Sequence, residues 1–375
     1  MAKVKLGDVA REYKATVKDA VDLPVVGLEH LIPGQVELTQ WSEDADNTFT
    51  KGFQKGQMLF GRRRAYLKKA ALAPFDGICS GDITVIEAIP ERIMPELLPF
   101  VIQNDSLFDY AVEKSAGSLS PRVKWEHLKN YEFELPEMEH QRELVDLLWA
   151  MTRTKKAYQE LLKKTDELVK SQFIEMFGDV STGEYNYPTE RLGDVADVGS
   201  SHRVFTTEFV ESGIPFYRGT EIGELANGQQ PSDPFFITEE HYQRLASDDS
   251  KPKIGDILLP SICNKGQVWM VDTDEPFYYK DGRVLCISGN RDLFNTRYLQ
   301  FYMKLKTEVE YPKMGSGSTF AEFKIFMLKD MDVIMPPKAN QDQFALFWEQ
   351  SDKSKFELTQ AISRIDDMIK ALMQG

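Results

Sequence analysis

No run in this 375-residue chain approaches the ~20 apolar residues that a membrane-crossing helix needs, so no helical membrane span is expected. Its first residues, MAKVKLGDVAREYK, have no apolar stretch behind the basic ones and do not read as a secretory signal; a cytoplasmic location is expected. Cysteine is scarce. Cys79, Cys263 and Cys286 are odd in number and spaced neither for zinc nor as a CxxC pair, which predicts buried free thiols and no disulfide framework. The five histidines, His30, His127, His140, His202 and His241, are scattered without metal-ligand spacing, so no metal site is expected. A GxxxxGK[ST] phosphate loop is missing, which excludes that route to ATP hydrolysis. Also missing is the polar-Pro-Pro-aromatic motif with which an amino-methyltransferase holds an extruded base. Met335-Pro336-Pro337-Lys338 has neither its leading polar residue nor its aromatic. Glu322-Phe323-Lys324 resembles a nuclease ExK pattern only superficially.

An excess of basic residues is lacking too. The net charge is −14, whereas nonspecific nucleic-acid affinity comes from lysine and arginine neutralising phosphates. Binding depends on the local field, however, so a basic face on an acidic body still holds a polyanion. The expectation is weak binding by the chain alone, with partner chains completing the grip. The balance of 42% hydrophobic and 28% charged residues is that of an ordinary globular protein, and the length predicts two or three units.

What is present is the sequence given twice. KLGDVA at Lys5 to Ala10 returns as RLGDVA at Arg191 to Ala196. The offset between copies is 186 at this motif, 199 at Gly56 and Gly255, and settles at 200 from there. Gly117 matches Gly317, Lys124 matches Lys324, Pro136 matches Pro336, Gln141 matches Gln341 and Asp166 matches Asp366. A period this long implies duplicated domains and not a solenoid. Insertions fall only between the LGDVA and Gly-Ser motifs, where little identity survives, while the segment after Gly-Ser keeps its register. The first behaves as a varied recognition domain and the second as a rigid element with a required length.

From Pro136 the pattern turns helical, with Leu144, Leu148, Met151, Tyr158, Leu162 and Val169 near heptad spacing; Phe344, Trp348, Leu358, Ile362 and Ile369 repeat it. Residues 139–177 and 339–374 contain no proline or glycine, and each can run on the order of 50 Å at 1.5 Å per residue. Lys155, Thr165 and Lys355 interrupt the seams, so the two helices are expected to pack on each other; the plainer alternative is two core helices inside one domain. Before each helix, short β-branched runs such as Ile83-Thr84-Val85-Ile86 and the stretch Gly282 to Ile287 predict α+β globules. The reading is therefore α+β, with two pseudo-repeated globular domains separated by a long antiparallel two-helix coiled coil. The expected boundaries are 1–136 for the first recognition domain, 137–177 for a central spacer helix, 178–190 for a linker, 191–336 for the second recognition domain and 337–375 for a C-terminal spacer helix.

LGDVA, a variable domain, a Gly-Ser motif and a proline-glutamine motif opening a long helix, all given twice, resemble the specificity (S) subunits of Type I restriction-modification systems over essentially the whole chain. The helix-opening motif resembles LPPLxEQ and stands here as Leu135-Pro136-Glu137-Met138-Glu139-His140-Gln141 and Met335-Pro336-Pro337-Lys338-Ala339-Asn340-Gln341. Glu137 replaces the second proline of the pattern, and His140 and Asn340 replace its glutamate. The resemblance implies a non-catalytic chain that recognises a bipartite asymmetric site in double-stranded DNA. It further implies two adenine-N6 methyltransferase (M) chains using S-adenosylmethionine, and two ATP- and Mg-dependent restriction/translocase (R) chains. No cofactor is implied for this chain itself, and the long helix is expected to set the gap between two half-sites.

Within that frame the densest basic run is Arg62, Arg63, Arg64, Tyr66, Lys68 and Lys69. Arginine reads guanine bidentately or holds phosphate, and a tyrosine beside it stacks or packs. An ordinary solvated edge is the alternative. Its positional equivalent, Pro260 to Lys265, offers Asn264, suited to adenine, and Lys265, so the two domains are expected to read different bases. The Gly-Ser motifs bring Ser118, Ser316 and Ser318, followed by Arg122, Lys124 and Lys324, either as a phosphate seat or as plain turns. Arg203 and Arg218 complete the candidates. Three rival readings are a catalytic restriction chain, an acidic DNA mimic, and a specificity chain of another restriction class or phage-defence complex. The absent motifs oppose the first, and the interspersed charges oppose the second.

Overall fold

LGDVA folds as one helical turn between two strands. In the first copy Ala2–Lys5 pairs antiparallel with Glu132–Leu135, Leu6–Val9 makes the turn, and Ala10–Glu12 pairs with Ile83–Ala88. Leu6 and Val9 are buried, and the Asp8 carboxylate accepts the Lys5 N–H at 3.0 Å. The glycine is set by close approach: its N–H donates to the Lys129 carbonyl at 2.8 Å, and a Cβ there would lie 3.0 Å from the Lys129 side chain. The second copy repeats the device, with Thr189–Arg191 paired to Asp332–Ile334 and a Cβ on Gly193 meeting Lys329 at 2.8 Å. LGDVA and Leu-Lys are thus two halves of one contact.

The computed structural model describes residues 2–17, 23–43, 48–117, 119–247, 251–263, 265–314 and 321–374. They divide into two units, Met1–Leu161 with Glu357–Gly375, and Leu162–Phe356. Each unit is α+β and is built on a four-stranded antiparallel sheet. The strand order is Ala10–Glu12, Ile83–Ala88, Met58–Gly61, Ala70–Leu72 in one and Ala196–Gly199, Val284–Gly289, Ile257–Pro260, Trp269–Met270 in the other. Both β-branched runs become the strand second in this order. Pairing of Met58 with Ile86 and of Ile257 with Ile287 makes Ile86 the counterpart of Ile287, so the offset reaches 201 in this strand; it does not stay at 200 as the sequence alignment has it. A second sheet, four-stranded in the first unit and three-stranded in the second, contains a parallel pair, Val25–Val26 with Gly77–Cys79 and Ile214–Tyr217 with Tyr278–Tyr279.

The long helices are Met138–Phe177 and Lys338–Gln374. In the first unit Val145 and Leu148 lie in the core with Ile369, Leu372 and Met373 packed against it; in the second, Val169, Phe173 and Phe177 pack with Phe344 and Trp348. Each unit therefore uses the N-terminal half of one helix and the C-terminal half of the other, which run antiparallel. Lys155 and Lys355, read as interruptions of the seam, are its ion pairs. Lys155 meets Asp366 at 2.6 Å in the first unit and Lys355 meets Asp166 at 2.8 Å in the second, one contact with the copies exchanged. The motif glutamines are buried anchors. The Gln141 side chain accepts the Met94 N–H at 2.9 Å and donates to the Pro136 carbonyl at 2.9 Å; Gln341 accepts from Asn295 at 2.8 Å and donates to Pro336 at 2.8 Å. Residues 178–190 hold a small hairpin of Gly178–Asp179 and Glu184–Tyr185. No helix among the described residues is long and apolar enough to cross a membrane.

Candidate nucleic-acid interface

Strand Met58–Gly61 delivers Arg62, Arg63 and Arg64 to the sheet's end, where the segment after the Gly-Ser motif folds back onto them. The Arg62 N–H donates to the Asp82 carbonyl and the Val123 N–H to the Arg62 carbonyl, each at 3.0 Å. In the second unit Ser261 donates to Arg283 at 2.8 Å and Phe323 to Ser261 at 2.7 Å. Arg62 and Ser261 are therefore structural equivalents, one position short of the Ile262 that an offset of 200 gives.

Around Asp82 the first unit gathers three guanidinium groups. Arg122 binds the carboxylate through two bonds of 2.7 and 3.1 Å, and Arg63 approaches it at 3.7 Å while donating to the Ser120 hydroxyl at 3.1 Å. The Arg122 hydrogen bonds, then the charges of Arg122, Arg63 and Arg62, hold the Asp82 carboxyl below its ordinary pKa. One carboxylate offsets one of three positive charges, so the face stays positive. Arg62 Nε is buried without a hydrogen-bond partner. Arg64 and Lys124 are exposed, and Tyr66 is 54% exposed on the turn Ala65–Leu67.

Two basic residues flank that turn in the left-handed region, Arg64 at φ 54° and Lys68 at φ 50°, the only non-glycine residues so placed among those described. Such backbone costs on the order of 1 kcal/mol or more and persists where surroundings hold it. Here the Arg64 N–H is held by the Pro121 carbonyl at 2.8 Å and Lys68 Nζ by Asp105 at 2.6 Å. Lys69 Nζ donates to the Leu28 carbonyl at 2.7 Å. Lys68 and Lys69 are thus tied into the fold, whereas Arg62, Arg63 and Arg122 gather around Asp82 and Arg64 is exposed next to them in sequence.

The second unit has the opposite polarity at the same place. Arg283, counterpart of Asp82, pairs with Glu322, counterpart of Arg122, and Lys324 joins Glu322 at 2.6 Å. Arg203 pairs with Asp281 at 3.3 Å, and Arg218 with the buried Glu221, so these cations are largely balanced. Lys265 is exposed. Ser118, Asn264, Ser316 and Ser318 lie outside the described residues. Beside Ser261 opens a cleft of about 460 Å³ lined by Phe209, Phe216, Phe235, Arg218, Lys280 and Arg283, among others. Phe209 stands 4.6 Å from Phe235 and 5.1 Å from Phe216, and the Arg218 guanidinium lies 4.2 Å from the Phe235 ring centre. Sequence reading passed over Asp82, which nothing local distinguishes, and the aromatic wall, whose signal was the density of phenylalanine between residues 205 and 236. The thiols offer no nucleophile: burial pushes Cys79 and Cys286 up to about 12 and Cys263 up to about 11.

Residues 185–365 match the family model of the Type I restriction modification DNA specificity domain. The chain is 23% identical over 192 residues to the Type I restriction enzyme EcoDI specificity subunit of Escherichia coli, covering 48% of this chain and 42% of that protein. It is 28% identical over 279 residues to the Type I restriction enzyme MjaIX specificity subunit of Methanocaldococcus jannaschii, covering 68% and 61%. The chain thus matches only about two fifths to three fifths of these relatives' length. Its fold is similar to that of a chain in a solved structure describing complex assembly and conformational transition of the type I R-M system. There the TM-score is 0.59 at 21% identity, over 99% of this chain and 96% of that one.

Proposed function

We propose that the chain is a specificity chain of the Type I restriction-modification kind, which recognises a bipartite, asymmetric site in double-stranded DNA and directs methylation and restriction by partner subunits; the match of residues 185–365 to the Type I restriction modification DNA specificity domain supports this reading. The observation that carries this reading is one scaffold given twice with different chemistry at one place. The first unit presents Arg62, Arg63, Arg64 and Arg122, suited to guanine edges and phosphates; the second presents an aromatic cleft edged by Arg218, Lys280 and Arg283. Identical frames with unlike faces fit two different half-sites. The chain itself is non-catalytic in this reading and works in the cytoplasm. Two M subunits with S-adenosylmethionine dock on the repeated helices, since two copies of one surface make two docking sites. Two R subunits supply ATP- and Mg-dependent cleavage. The helices act as a spacer that sets the gap between half-sites.

Mapping methylated adenines genome-wide in cells with and without the chain tests this. One two-part motif should vanish on deletion, and the purified chain should transfer no methyl group from S-adenosylmethionine. An unchanged methylation pattern, or turnover by the pure chain, would overturn the assignment.

A further inference from the structure

We infer that Leu119 is an apolar wedge that enters the base stack of a duplex held on the arginine face of the first unit, an inference that rests on the DNA-binding reading above. Leu119 is 91% exposed, the most exposed of the large apolar side chains among the described residues. A lone exposed leucine is ordinary on a protein surface; its mounting is not. Ala116 and Arg122, three residues before Leu119 and three after it, exchange both backbone hydrogen bonds, at 3.1 and 3.0 Å. Gly117, at φ +115°, lets the chain turn there. The far arm is braced three times, by Arg63 on the Ser120 hydroxyl, by the Arg64 N–H on the Pro121 carbonyl and by Arg122 on Asp82.

The result is an exposed apolar side chain next to an arm tied down by Arg63, Arg64 and Arg122. Its complement must offer an apolar slot between anions. A base step in a duplex has that form, with stacked rings inside and phosphates along both edges. Leucine is among the residues that open such steps, at a cost of a few kcal/mol for unstacking, and a loop free to retract would not sustain that cost. Two hundred residues on, the second copy has the polar Thr319, so the wedge belongs to the first half-site alone. Kinkable pyrimidine-purine steps are favoured there without any base-edge contact.

The test uses the full chain assembled with its methyltransferase partner on a duplex carrying the mapped site, with 2-aminopurine placed at one position at a time across the first half-site and its flanks. Emission should rise several-fold at one step for the parent and for Leu119→Phe, and return to the free-duplex level for Leu119→Ala. That variant should bind about tenfold more weakly with an unchanged salt slope, because no phosphate contact is lost. The adenine turned out for methylation gives emission independent of Leu119 and serves as the internal control. Bound duplex with no Leu119-dependent emission at any position overturns the wedge and leaves DNA recognition standing. An L119A chain that no longer assembles with its partner also overturns it, since Leu119 would then be a protein contact. A parent complex that binds no duplex removes both readings.

Discussion

Asp82 and Arg122 stand where the second copy has Arg283 and Glu322, so one structural tie is made with either polarity. What the fold requires at this point is opposite charge between the sheet's end and the returning segment, not a particular acid. Reversing Asp82 to Arg alone should destabilise the first unit, and adding Arg122→Glu should restore its melting temperature. A double variant no more stable than the single would show that the pair is not interchangeable. Asp82 also carries a pH signature. Its folded pKa is depressed, chiefly by the Arg122 hydrogen bonds, so its stabilisation is present above the ordinary aspartate value of about 3.9 and is lost as pH falls through the lower folded value. Asp82→Asn should therefore cost about 1 kcal/mol at neutral pH, screened as a partly exposed pair is. The gap to the parent should close on acidification below about pH 3.9, measured by denaturant titration across the range.

The long helices were legible as elements because 36 or more residues without proline or glycine and with apolar spacing leave little else. Their exchange was not. The half that completes the first unit's core arrives from the far end of the chain, through Ile369 and Leu372, the Lys155 to Asp366 pair and the Asn104 side-chain amide donating to the Met373 carbonyl at 3.1 Å. Ending the chain at Phe356 should therefore weaken the first unit by roughly 3 to 5 kcal/mol, from two or three partly buried apolar side chains, although the residues removed are far in sequence from the rest of that unit. Hydrogen exchange in the sheet strand Ile83–Ala88 should speed up while exchange in Val284–Gly289 stays near the parent rate. Equal acceleration in both would mean that the helix ends do not serve separate units.

For the whole molecule, the charge of −14 and the DNA-binding proposal are reconciled by placement, with cations concentrated around one carboxylate in the first unit and paired with acids in the second. The spacer proposal gains a stricter test from the antiparallel pairing. Four residues inserted after Leu161 alone would leave only one of the Lys155–Asp366 and Lys355–Asp166 pairs in register, and binding should be lost. Four inserted both after Leu161 and after Phe356 preserve both ion pairs and add about 6 Å, close to two base pairs, with a rotation of only ~40°. Sequencing methylated sites should then find both half-sites unchanged and the gap longer by about two base pairs. An active double-insertion variant with the original gap would mean that the helices do not set it.

The duplication, the α+β character of each copy, the two long helices and the correspondence of the Arg62 to Lys69 run with Pro260 to Lys265 were all legible in the sequence itself. Each rests on a local period or on motifs repeated in the same order, which survive without knowledge of packing. Tertiary structure alone decided that Asp82 gathers Arg62, Arg63 and Arg122, that buried Gln141 and Gln341 anchor the helix starts, and that three phenylalanines wall a cleft beside Ser261. It also decided that each unit borrows a helix half from the other copy. They include contacts between residues 40 to more than 200 positions apart, as in Asp82 with Arg122 and Lys155 with Asp366. Their partners are chosen by how sheets and helices close on one another, and no local pattern of charge or polarity encodes that choice.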